Sequence, residues 1–256
     1  NGCDEYLYII DKNDAVKKVL LPANSQLNEI IIGENASYIH TKTLINSAYS
    51  YNITVINEDA SLINSVTVNY PTFWGHTLNG ILYYPDLPEK LNSPTLNGLN
   101  IELWRTNGSS NYMAYEINRG QQQLPQNNFV NMPSQPRNFF KLQSKIYFIA
   151  TNEGKENLYS LNEDFTFNNG KSNNQWNEGD NWAGQIVPFE SDDALIPAGK
   201  TPEINGNASV KNISVSSPLN LSAGNLNIAG NLNLGAKITL NGNNLNLKGP
   251  SSQITN

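Results

Sequence analysis

Four oxygen-bearing side chains in one polar stretch, Glu178, Asp180, Asn181 and Asp192, are the residues of this chain best suited to chemistry. Carboxylate and amide oxygens are hard donors, and their convergence would make a calcium site. The spacing of an EF-hand loop is absent, so the fold would have to gather them. The same region offers carboxylate pairs, Glu178 with Asp180 or Asp192 with Asp193, and glycoside cleavage asks for two acids roughly 5–10 Å apart in a groove. Adjacent residues on a strand point to opposite faces, which makes Asp192 and Asp193 a poor pair. Turn and cap hydrogen bonding is the plainer role for all of these side chains.

Other chemistries lack their residues. His40 and His76 lie far apart in strand-like contexts, and no His-Glu-x-x-His, Cys-x-x-Cys or paired-His spacing supports a transition metal. No Gly-x-Ser-x-Gly elbow or phosphate-cradling glycine loop occurs. Cys3 is the single cysteine, which excludes an intrachain disulfide framework and leaves a free or buried thiol. No catalytic residue and no cofactor other than the calcium alternative is assigned. Of the four tryptophans, Trp104 sits in a repeat position suited to packing, and Trp176 and Trp182 suit the plug of a β-coil. Trp74 is the least constrained, and is the candidate for stacking on a sugar ring.

Bulk composition narrows the partners. Net charge is −6 and charged residues make up 15%, so the basic stripe of a nucleic-acid binder is missing. No apolar run approaches the ~20 residues of a membrane span. The chain has neither an initiator Met nor a signal peptide, and it stops without a polar cap after its last repeat. The expectation is a piece of a longer polypeptide.

The elements that must position these residues are strands. Shifting 212–230 by 19 residues onto 231–249 keeps every Val, Leu and Ile position apolar: Ile213 on Leu232, Val215 on Leu234, Leu219 on Ile238, Leu221 on Leu240, Leu226 on Leu245 and Ile228 on Leu247. Asn212, Asn225 and Asn227 fall on Asn231, Asn244 and Asn246. A fixed period of this size marks a solenoid, each unit burying its apolar face on the next. Three apolar pairs at i, i+2 in each period predict three short strands per coil, and the asparagines predict structural ladders at the corners. One period earlier, Ala194 and Ile196 occupy the places of Ile213 and Val215.

Upstream, a looser repeat runs through LYIIDKNDAVKKVL, ITVINEDASLINSV, ELWRTNGSSNYMAYEI and NLYSLNEDFTF, whose starts lie 46, 49 and 55 residues apart. Each begins as an apolar strand, turns on Asp, Asn or Gly, and returns. With the preceding strands LNGILYY, LQSKIYF and ENASYIH, each unit holds roughly four strands in about 50 residues, the content of a propeller blade. The fold class expected is all-β, with partial β-propeller-like repeats over 1–170, a Trp-containing junction over 171–193, and a short parallel β-solenoid over 194–256 that continues beyond 256.

The stretch ELWRTNGSSNYMAYEINRG resembles the ELWxTDGTxxGTxxVxDIxPG blade motif of large secreted proteins of Bacteroidetes-type bacteria. Asn107, Ser109 and Arg119 replace its Asp, Thr and Pro. The order Trp176, Asn181-Trp182, Gly184, Val187-Pro188, Asp192-Asp193, Ile196-Pro197 resembles the opening segment of extracellular β-solenoid modules in proteins of the same kind. These resemblances imply an extracellular or cell-surface location, export by the type IX route, and contact with export machinery. The function expected is adhesion or surface scaffolding without catalysis, with proteins or glycans as partners. The alternatives are a carbohydrate-binding accessory region of a polysaccharide-active enzyme and a structural subunit of an outer-membrane complex.

Overall fold

The computed structural model describes residues 6–10, 15–33, 36–57, 61–69, 74–87, 101–109, 111–115, 117–118, 121–123, 129–143, 145–249 and 253–255. The chain is all-β and ends in a parallel β-solenoid of about three turns. It divides into two compact units, Asn1–Leu161 and Asn162–Asn256. Cys3 lies outside the described residues.

The first unit is built of antiparallel sheets. Strands β1 (Tyr6–Ile10) and β2 (Val16–Leu20) form a hairpin. A four-stranded meander follows: β3 (Ser25–Ile31), β4 (Ser37–Ile45), β5 (Ala48–Ile56) and β6 (Leu62–Val68). A second comprises β7 (His76–Leu78), β8 (Ile81–Asp86), β9 (Glu102–Thr106) and β10 (Asn111–Tyr115). After the short pair β11 (Gln121–Gln123) and β12 (Phe129–Asn131) comes a three-stranded sheet of β13 (Arg137–Leu142), β14 (Lys145–Asn152) and β15 (Lys155–Leu161). Asn79 and Gly80, with φ of 50° and 83°, make the tight turn between β7 and β8, where two successive positive φ values match the strand twist.

Burial patterns show how these sheets are used. All six residues of β8 are buried, as are residues 38–41 of β4, which requires cover on both faces. Ile31, Tyr38, Ile53, Val55, Val66 and Val68 of the first meander pack with Leu82 and Tyr84 of the second, and Trp104 lies against this cluster. On the other face, Ile39 and Ile56 cluster with Leu21, joined by Leu7, Ile9, Leu27 and Leu62. The β13–β15 sheet instead alternates: Ile146, Phe148 and Ala150 are buried, whereas Phe140, Leu142 and Leu158 stand exposed.

The second unit starts with a cap. Its aromatic centre is Trp182, edge-on to both Trp176 (4.7 Å) and Phe167 (5.2 Å), and all three rings are fully buried. Trp182 Nε1 donates to the Trp176 carbonyl at 2.8 Å. Thr166 and Gln175 bridge in parallel to Leu195 and Glu203, so the cap forms an irregular turn beneath the first coil. NLYSLNEDFTF therefore does not fold back as a hairpin: Leu161 ends β15, and Phe165 and Phe167 hydrogen-bond with Leu195 instead.

Three strands make each coil. The first coil has β16 (Asp193–Ile196), β17 (Glu203–Asn205) and β18 (Ala208–Val210). The second has β19 (Asn212–Val215), β20 (Leu219–Ala223) and β21 (Asn225–Ile228). The third has β22 (Leu232–Leu234), β23 (Ile238–Thr239) and β24 (Asn244–Leu247), and β25 (Ile254–Thr255) pairs onto β22. Ala194 pairs with Ile213, Ile213 with Leu232 and Leu226 with Leu245, the register expected from the period. Gly224, at φ 77°, lies so close to the Gly206 backbone one coil below that a Cβ would collide with it.

Asparagines run along the corners as ladders. Asn225 Nδ2 donates to Asn207 Oδ1 at 3.2 Å, and Asn244 Nδ2 to Asn225 Oδ1 at 2.9 Å. Asn246 Nδ2 donates to Asn227 Oδ1 at 3.0 Å. Each amide satisfies its neighbour, so the stack keeps buried and edge polar groups paired without charge.

Candidate functional site

The oxygen-bearing residues singled out from sequence serve the cap. Glu178 precedes a short 3₁₀ turn, Gly179–Asn181, and its Oε2 accepts from Lys171 Nζ at 2.7 Å. Asn181 is fully buried; its Oδ1 accepts the Lys171 N–H at 2.9 Å, and its Nδ2 donates to the Gln175 carbonyl at 2.9 Å and to Asn173 Oδ1. Asp192, also buried, accepts the Phe189 N–H at 2.8 Å and closes the turn before β16. Asp180 lies within the 3₁₀ turn itself. Among the described residues, no three His, Cys, Asp or Glu side chains gather as metal ligands.

The histidines and tryptophans separate in the same way. His40 is fully buried in β4 and stacks on Tyr51 at 5.8 Å; burial lowers its pKa from 6.5 to about 4. His76 Nδ1 lies 3.0 Å from the Thr77 carbonyl. Trp74 stands half-exposed just before β7.

Two features escaped the sequence reading. Asp86 and Glu102 face each other across β8 and β9, both buried. Their carboxylates accept main-chain donors, from Asn69 at 2.9 Å and Ile117 at 2.8 Å, and so fasten the chain segments beside the sheet. Carboxylate bonding to backbone N–H is among the stronger hydrogen bonds available. The spacing of these acids along the chain carries no recognisable motif.

The second feature is a groove of about 230 Å³ where the β4–β5 hairpin meets the end of β6. Ile45, Ala48, Tyr49, Ser50, Tyr51, Thr67, Val68 and Asn69 line it. Tyr49 and Tyr51 lie on one strand face, as i, i+2 residues must, with ring centres 6.4 Å apart. Tyr49 is 49% exposed, and Lys42 Nζ lies 5.4 Å from its ring centre. Buried Tyr84 donates to Asn111 Oδ1 at 2.9 Å, and Asn111 Nδ2 donates to the Thr67 carbonyl at 2.9 Å. Thr67 Oγ1 in turn donates to Asn52 Oδ1 at 3.1 Å. Asn69 Nδ2 donates to the Leu87 carbonyl at 3.1 Å. The rim is therefore held from the core outward, and a ligand would meet an already ordered wall. The alternation Tyr-Ser-Tyr was the sequence signal for this face.

No protein-family model matches the chain, and neither a curated protein nor a solved structure matches it. Among the described residues no helix is long and apolar enough to cross a membrane.

Proposed function

We propose that the chain is a non-catalytic adhesion or scaffolding segment of a large exported, cell-surface protein of Bacteroidetes type. The observation that carries this reading is the division of labour in the solenoid. Aliphatic rows fill its interior, while its corners carry paired, uncharged asparagines, a rigid frame suited to display and contact. The four-stranded meanders, with ELWRT in β9, support a propeller-like assembly of the first unit. Type IX export and engagement with surface proteins or glycans follow from the resemblance of these segments.

The test is attachment. Beads coated with the chain should adhere to bacterial surfaces or surface polymers above beads coated with an unrelated acidic protein. Equal retention of both would end the reading. The groove beside Tyr49 favours a second reading, a carbohydrate-binding accessory region of a polysaccharide-active enzyme, because an exposed tyrosine beside polar residues suits a sugar.

A further inference from the structure

We propose that the groove between the β4–β5 hairpin and the end of β6 is a subsite for one uncharged pyranose ring, with Tyr49 as its stacking platform. The inference rests on the reading that the chain acts by binding and names what it binds. Three features select this ligand class. Tyr49, Tyr51 and Val68 share one strand face and supply aromatic and aliphatic surface, and Ser50, Thr67 and Asn69 add polar residues to the lining. A pyranose offers both kinds of surface, C–H groups on one face and hydroxyls around its edge.

Size and charge sharpen the choice. At about 230 Å³ the groove is smaller than the roughly 300–1,000 Å³ clefts that enclose drug-sized ligands, so it takes a single ring and leaves a linked chain outside. No lining residue is charged. Lys42 reaches the Tyr49 ring, and its ammonium there adds cation–π attraction to the platform. A nucleotide would need phosphate-neutralising groups that the lining lacks.

The hydrogen-bond chain from Tyr84 through Asn111 to Thr67 adds rigidity, which lowers the entropy lost on binding. Tyr49 sits where it can be replaced without disturbing this support, because half of it faces solvent. Tyr51, packed against the core cluster, lacks that advantage.

The experiment uses the full chain on a glycan array bearing neutral hexose, hexosamine and uronate termini, followed by titration of the best methyl glycoside. The expected result is selective binding of a neutral terminus, weakened about ten-fold or more in Tyr49→Ala, retained in Tyr49→Phe and unchanged in Trp74→Ala. Binding that survives Tyr49→Ala, or that is lost in Trp74→Ala instead, overturns the assignment. So does preference for uronates, or the absence of any sugar binding. The bead assay keeps the two claims apart. Adhesion of wild-type beads without glycan selectivity on the array removes the sugar subsite and leaves the adhesive reading standing, whereas wild-type retention no better than that of the control beads removes the latter.

Discussion

The two units solve the same problem, burying a β surface, by opposite means. In the first, each meander strand pairs antiparallel with its neighbour in sequence, and ionisable groups are buried within it: His40, Asp86, Glu102 and Arg105. In the second, each coil strand pairs in parallel with one from the next winding, and the inward rows are aliphatic. Asp192, in the turn before the first coil, is the buried acidic group of that unit among the described residues. Local pairing lets each sheet settle its own turns and polar contacts, so its weak points are individual side chains. Stacked pairing makes each coil depend on the surface below it. The first unit should therefore respond to protonation, and the second to damage at its cap.

The largest effect should come from that cap. Trp182→Ala removes a fully buried ring held by Phe167 and Trp176 and deletes the donor to the Trp176 carbonyl. Truncation of a buried tryptophan costs about 3–5 kcal/mol. Hydrogen exchange followed by mass spectrometry should show strongly accelerated exchange across β16–β24, by roughly two to three decades, with β3–β10 unchanged. Equal acceleration in both units would contradict the comparison, and no acceleration would deny the cap its role.

The cap also marks how far the fold was legible. The register of the second and third coils could be read from the chain because their apolar and asparagine positions repeat at one fixed spacing. The first coil was harder. Its corner after Ile196 is longer, so Ile204 pairs with Leu221 at a separation of 17, and only Ala194 and Ile196 kept the visible period. The end of the first unit was obscured because Phe165 and Phe167 look like a returning strand, while their hydrogen bonds go to Leu195. The plugging role of Trp176 and Trp182 was legible, since large apolar side chains in a polar stretch must find cover. The groove was not: it depends on how far the β4–β5 hairpin extends past its neighbours, a tertiary property that alternation alone does not encode.

Protonation should act on the first unit next. Burial holds the His40 pKa at about 4, below the usual 6.5, so the unfolded chain binds the proton more readily. Stability is then full above pH 6.5, falls as pH drops, and levels off near pH 4, with about 3 kcal/mol lost across this window. Glu29 lies opposite His40 on β3, and burial raises its pKa above 4.5. Its protonation is thus easier in the fold and opposes the loss at the acid end. The informative quantity is the difference in unfolding free energy between wild type and His40→Leu from pH 7.5 to 4.5. That difference should change with pH, and amide exchange should locate the acid loss in β3–β6. A pH-independent difference would show that His40 is not the proton acceptor.

The smallest expected effect tests whether the meanders are governed by local turns. Asn46 and Ser47 connect β4 to β5 with φ of 49° and 66°, the same doubly positive geometry as Asn79-Gly80 but with a side chain at the second position. Left-handed φ strains a serine and not a glycine, whereas glycine loses more freedom on folding. With both terms included, Ser47→Gly should stabilise the hairpin by about 0.5–1 kcal/mol. Exchange of β4 and β5 amides should slow a few-fold, with the coil strands unaffected, because the turn closes one local pairing and touches no repeating register. If exchange in β4 and β5 quickens, the strain at Ser47 is not what limits the turn. If protection instead changes in β19–β24, the first unit's sheets are not the locally governed structures their antiparallel pairing implies.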